Sequence, residues 1–165
     1  SNPLGRVNMA NKDLYFMKMA IEEAKKAFDA GEVPVGAILV YKENIVIAKG
    51  YNQREFTQNP LFHAELIVIN KGSKILKQWR LDETSLYVTL EPCPMCAGAI
   101  VQARIKKLIY GAQDLKGGGV SSLMNIPGDL RLNHQVEIVS GILEEECGSI
   151  LKEFFKKLRI EKKTD

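Results

Sequence analysis

With 165 residues and 18.5 kDa, the chain is long enough for one domain with a proper core. Its 45% apolar and 26% charged residues exclude a disordered or fibrous protein. The formal charge of +3 is compatible with an RNA partner but too mild to require one.

No apolar run approaches the roughly 20 residues of a spanning helix, and no signal-peptide core opens the chain. A cytoplasmic protein with no membrane partner is expected. Ser1 to Asn8, ahead of Met9, read as an expression scar or a short disordered arm, leaving 9–165 as a single domain.

From Asn11 or Asp13, the spacing of Leu14, Met17, Ile21, Ala24 and Phe28 predicts a helix with one buried stripe, stopped at Gly31. Val35 to Tyr41 and Ile45 to Tyr51 read as a strand pair around a turn at Lys42-Glu43-Asn44. Asn52 to Pro60 is polar and reads as an irregular surface loop. Ala64 to Asn70 would be a strand on propensity alone. The chemistry argued below requires a helix, apolar nearly all round and hence buried between layers.

Ser85 to Leu90 predicts a strand, Met95 to Ala103 a helix, and Lys107 to Tyr110 a strand ended by Gly111. Gln113 to Leu132, with Gly117-Gly118-Gly119, reads as a long connection too glycine-rich to be core. Val136 to Ser140 is a last strand. Leu143, Cys147, Ile150, Leu151, Phe154 and Leu158 then form a helical stripe to about Arg159. The alternation predicts an α/β protein: a three-layer α/β/α sandwich with a mixed five-stranded sheet and helices on both faces.

Chemistry concentrates at His63-Ala64-Glu65 and, thirty residues on, at Pro92-Cys93-Pro94-Met95-Cys96. Cys93 and Cys96 fall on the first turn of a helix leaving a strand, where backbone N–H groups and the helix dipole favour thiolate, the ligating form. With His63 they make three mixed S and N ligands and leave one position open, as in a catalytic zinc site. Glu65 is the carboxylate beside them. A zinc-bound water has a pKa of roughly 7, and a non-ligating Glu65 would shuttle the protons of a deamination. The pattern resembles the signature of zinc nucleobase deaminases.

Other readings of these residues exist. Three cysteines, an odd number with two in a CxxC, argue against a disulfide framework and for metal or redox chemistry in a reducing compartment. A thioredoxin-like disulfide would leave His63-Ala64-Glu65 unexplained. A closed structural zinc with Cys147 as fourth ligand has no use for Glu65, and Cys147 falls on an apolar stripe. His134 reads as a solvated or loop-pinning residue.

Beyond the zinc motif, the chain from about Asp13 to Arg159 resembles the bacterial-type tRNA-specific adenosine deaminases (the TadA family). The resemblance rests on Val33-Pro34-Val35-Gly36-Ala37, Asn52, His63-Ala64-Glu65, Leu86 to Cys93, Met95-Cys96-Ala97-Gly98-Ala99, Gly111-Ala112, Asp114, Lys116, Leu123-Met124, Asn133-His134 and Val136-Glu137. Gly141-Ile142-Leu143, Glu146-Cys147 and Phe154-Phe155 continue it.

It implies a cytidine deaminase-like fold, a zinc ion on His63, Cys93 and Cys96, a homodimer, and conversion of a wobble adenosine in a tRNA anticodon stem-loop to inosine. Asn52 would contact the flipped-out base. Asp114, Lys116, Phe155 and Arg159 match positions that handle neighbouring nucleotides. DNA is not expected as a partner.

Phe62 stands where a small residue is usual, and Ser121 where glycine is common; these departures bear on pocket shape and loop geometry. Phe155 reads either as a platform for an unstacked base or as the edge of the core. The closest rival is an enzyme on a free base such as guanine or cytosine; a non-catalytic zinc module that binds RNA is a third reading. The basic, aromatic end, with Lys152, Lys156, Lys157, Arg159, Lys162 and Lys163 around Phe154-Phe155, favours RNA, and the presence of Glu65 favours catalysis.

Overall fold

The structure, a computed structural model, describes residues 9–164, with side chains from 12 to 163. The proposed arm at Ser1 to Asn8 lies outside the described residues. The elements in chain order are α1 (Met9–Asp29), β1 (Gly36–Tyr41), β2 (Ile45–Tyr51), α2 (Arg54–Thr57) and α3 (Ala64–Leu76). They continue with β3 (Thr84–Leu90), α4 (Pro94–Gln102), β4 (Lys107–Ala112), β5 (Glu137–Ser140) and α5 (Glu144–Thr164).

The five strands lie in the order β2-β1-β3-β4-β5. β1 is antiparallel to β2 and β3, whereas β3, β4 and β5 run parallel. The mixed sheet is therefore as expected. The hairpin turns through Lys42 and Glu43, both at positive φ (48° and 70°).

Strand alternation divides the core in two. Ala37, Leu39, Leu86, Val88, Leu108 and Tyr110 face α3 and α4. Ile38, Val40, Tyr87 and Ile109 face α1 and α5. This is the three-layer sandwich. The apolar area buried on both faces of the central strands is the main favourable term holding it together.

Several expectations need correction. Leu14 is exposed, while Phe16, Ala20 and Ala27 are fully buried, because α1 presents a broad face to the sheet rather than a single stripe. The Asn52 to Pro60 stretch contains α2, whose leading amides on Glu55 and Phe56 donate to the Glu32 carboxylate at 2.9 and 2.8 Å. Helix α3 forms as the chemistry required, but it buries only Ala64, Glu65, Val68 and Gly72; Leu66, Ile67 and Ile69 are half-buried.

β4 runs past Gly111 to Ala112, and α5 extends beyond Arg159 to Thr164. The glycine-rich connection is not excluded from the core: Gly118, Gly119 and Val120 are buried, with Val120 in the α3/α4 layer. Among the described residues, no helix is long and apolar enough to cross a membrane.

Candidate active site

The parallel pair β3 and β4 opens a crevice at its carboxyl ends, where ligands of open α/β sheets collect. β3 ends at Leu90; three residues later the backbone of Cys93 is the N-cap of α4, with Pro94 at the first helical position, where a missing N–H does no harm. His63 occupies the same place on α3, in an extended conformation before Ala64. Two helix starts thus converge. The Nδ1 of His63 lies 3.7 Å from Cys93 Sγ and 3.5 Å from Cys96 Sγ.

Tetrahedral zinc with ordinary Zn–S and Zn–N bonds puts neighbouring ligand atoms about 3.6 Å apart. The two distances from His63 to the sulfurs therefore suit such an ion. They form the one His/Cys/Asp/Glu group among the described residues whose ligand atoms all lie within 4.8 Å of one another. The Cys93 thiol is drawn down to about 4, first by its hydrogen bond with Cys96 and then by His63. The Cys96 pKa is raised by the same pairing and by burial. Both sulfurs are free, so no disulfide supports a thioredoxin-like reading.

Cys147 does not join them. It is buried in the α1/α5 layer, against Gly111, on the opposite face of the sheet from α3 and α4. His134 lies elsewhere too; its Nε2 donates to the Ile105 carbonyl at 2.7 Å, which makes it a loop pin.

Glu65, on the first turn of α3, is 4% exposed. Burial pushes its carboxyl up to about 7, against the opposing pull of its own backbone amide and of His63. A carboxyl near neutrality can take and return a proton.

His63, Glu65 and Cys93 share one cavity of about 230 Å³ with Asn52, Arg54, Glu91 and Asp114, and Val33, Val35 and Leu90 give it apolar walls. That is smaller than the roughly 300–1,000 Å³ of drug-sized ligand sites, and suits one small ring. Asn52 is buried; its Nδ2 donates to the Val33 carbonyl at 3.3 Å and its Oδ1 accepts from the Arg54 amide at 3.4 Å.

Of the remaining sequence-derived residues, Asp114 is in the wall, while Lys116, Phe155 and Arg159 are not among the cavity's lining residues. Lys116 is exposed two residues along the same loop. On α5, Phe154 takes the buried position and packs edge-on to Phe28, leaving Phe155 41% exposed with its ring 5.4 Å from that of Phe154. Arg159 is exposed one turn further on.

Phe62, beside the candidate ligand His63, is 38% exposed and lines a separate surface groove with Leu61, Leu66 and Ile67. The Ser121 hydroxyl shares a 2.6 Å hydrogen bond with Tyr110.

Sequence reasoning missed Arg54 and Glu91. Burial would raise the Glu91 pKa, but hydrogen bonds from Ser121, Ser122 and Asp114 outweigh it and hold the carboxylate below its usual range. The available signal was an acidic residue closing a strand that is otherwise buried.

The arrangement has relatives. The MafB19-like deaminase family matches residues 10–159. The tRNA-specific adenosine deaminase of Bacillus subtilis (strain 168) is 54% identical over 152 residues, covering 92% of this chain and 94% of the relative. A solved structure from work on A-to-I editing by tRNA:A34 deaminases at the wobble position of transfer RNA superposes with a TM-score of 0.80 at 44% identity, covering 83% of this chain and 99% of that one.

The guanine deaminase of Nitrosomonas europaea superposes with a TM-score of 0.75 over 86% of this chain and 83% of that one; at 20% identity this is a likeness of fold alone. With 54% identity along nearly its whole length and a matching family pattern over residues 10–159, the chain belongs to the tRNA-specific adenosine deaminase family of MafB19-like deaminases.

Proposed function

We propose that the chain is a zinc-dependent cytoplasmic enzyme that hydrolyses the wobble adenosine of a tRNA anticodon to inosine. The observation that carries this is the meeting of one imidazole, two sulfurs and a separate buried carboxylate at a cavity the size of one base. His63, Cys93 and Cys96 would hold the ion. When bound, it supplies Lewis acidity that makes water a nucleophile at neutral pH.

The chain's own residues account for the rest. Deamination adds water at C6 of the purine, protonates N1 and expels ammonia. One proton must move from the water to N1, and a second from the added hydroxyl to the leaving amine. Glu65 makes both transfers, returning to carboxylate after each. Asn52 retains a second N–H on Nδ2 for the edge of a flipped-out base. Val33, Val35 and Leu90 exclude water from the ring.

Outside the cavity, Asp114 and Lys116 receive the neighbouring nucleotides. Phe155, backed by Phe154, offers a face for stacking, and Arg159 a cation for phosphate. A second copy of the chain covers the groove of Leu61, Phe62, Leu66 and Ile67, giving a homodimer.

The test is ammonia release from a tRNA with adenosine at the wobble position, compared with free guanine and cytosine. Release from the tRNA alone is expected; release from the free bases alone overturns the reading. Lys116→Ala and Arg159→Ala should weaken RNA binding and each reduce its salt slope by about 1 while sparing zinc content.

A further inference from the structure

Glu91 lies between the end of β3 and the first cysteine and is 2% exposed, yet among the described residues no basic side chain is a hydrogen-bond partner of it. Its carboxylate is held by neutral donors from one loop. Oε1 accepts from the Asp114 amide at 3.1 Å and from the Ser122 hydroxyl. Oε2 accepts from the amides of Val120, Ser121 and Ser122 at 3.2, 2.9 and 3.0 Å. The backbone joins the same two segments: Glu91 N–H donates to the Ala112 carbonyl, and Gly119 N–H to the Pro92 carbonyl, each at 2.8 Å.

The loop passes so close that only glycine fits. A Cβ on Gly118 would run into the Glu91 carboxylate, and one on Gly119 would lie 2.8 Å from the backbone of Pro94. Asp114 in turn folds the chain beyond it. Its Oδ1 accepts from the amides of Lys116 and Gly117 at 3.3 and 3.1 Å, and its carbonyl from Gly118 at 2.8 Å. Fixing the Asp114 amide therefore fixes the turn that presents Lys116.

We infer that Glu91 is a positioning residue: it clamps the Asp114–Ser122 loop to the metal-ligand loop and so sets the wall that receives nucleotides beside the target base. This rests on the RNA-deaminase reading above. A carboxylate suits the role because both oxygens accept. An amide there would turn donors toward N–H groups that are themselves donors.

The test uses the full zinc-loaded chain, Glu91→Gln, and a short anticodon stem-loop RNA with adenosine at the wobble position. Zinc content should stay at the wild-type value. Amide exchange at Val120, Ser121 and Ser122 should accelerate, and RNA affinity should fall about tenfold, the loss appearing more in KM than in kcat. Lys116→Ala should weaken binding several-fold in the wild type and hardly at all in Glu91→Gln, because the cation is already misplaced. A merely structural role would leave the two effects additive.

Additive effects overturn the inference, as does unchanged amide exchange. If Glu91→Gln does not fold, Ser122→Ala, which removes one donor, should show the same non-additivity at about threefold amplitude. A wild type that binds the stem-loop but releases no ammonia sinks the proposed activity alone. A wild type that does not bind it sinks both.

Discussion

The Nδ1 of His63 lies 3.5 Å from Sγ of Cys96, although thirty-three residues separate them. That spacing matches one edge of a tetrahedral site and brings the starts of α3 and α4 to a common point. The purified protein is therefore expected to carry one zinc per chain by elemental analysis. His63→Ala or Cys93→Ala should weaken zinc binding by more than the roughly 10–100-fold lost when a supporting outer partner is removed. Wild-type zinc affinity in either variant would contradict the assignment.

Glu65 is buried beside that cluster and lines the same cavity. Glu65→Gln should retain stoichiometric zinc while kcat on the adenosine substrate falls at least ~10²–10⁴-fold, the usual contribution of a positioned acid–base group. Zinc content and single-turnover rate on the same sample separate this outcome from loss of the ion. A fall of less than tenfold would remove Glu65 from the proton path.

The approach of α1 to β1 has no slack at Gly36. A Cβ there would overlap the carbonyl oxygen of Ala20 and the amide nitrogen of Ala24, both backbone atoms that cannot swing aside. Gly36→Ala should destabilise the fold by about 1–3 kcal/mol, the range for overpacked sites, seen as a lower denaturant midpoint. An unchanged midpoint would mean that α1 is free to shift.

Tyr87, buried on the opposite face of β3 from the site, donates to Asp13 Oδ1 at 2.7 Å. Burial, and then Asp13, raise its pKa above the ordinary value. The stability this hydroxyl contributes is therefore whole below its unfolded pKa near 10 and is lost as pH rises beyond that value. Tyr87→Phe should cost about 1 kcal/mol at pH 8. The gap to the wild type should then narrow in denaturant titrations above pH ~10. A gap independent of pH would show that the hydroxyl does not ionise differently in the two states.

Chemistry rather than propensity made the site legible. A zinc ligand set admits few residue types, and their spacing survives in the chain as His63-Ala64-Glu65 and Cys93-Pro94-Met95-Cys96. That constraint also overrode the strand-like Ala64 to Asn70, because a ligand and a carboxylate two residues apart reach one cavity from the first turn of α3. The near-continuous apolar runs of β1 and β3 likewise marked them as strands, since both are buried along almost their whole length.

What stayed hidden depends on partners far along the chain. α2 exists because the Glu32 carboxylate, more than twenty residues upstream, accepts its first amides. The glycine-rich loop is ordered because Glu91 gathers amides from residues 114 to 122.

The sequence by itself determined the candidate cluster of His63, Glu65, Cys93 and Cys96 and the alternation of strands and helices, because those follow from local residue type and spacing. Only the tertiary structure decided that Cys147 lies across the sheet from the cluster, that Phe154 rather than Phe155 is buried, and that Glu91 holds a loop instead of facing solvent. Each of these is a matter of which distant groups desolvate one another, and that is settled by packing.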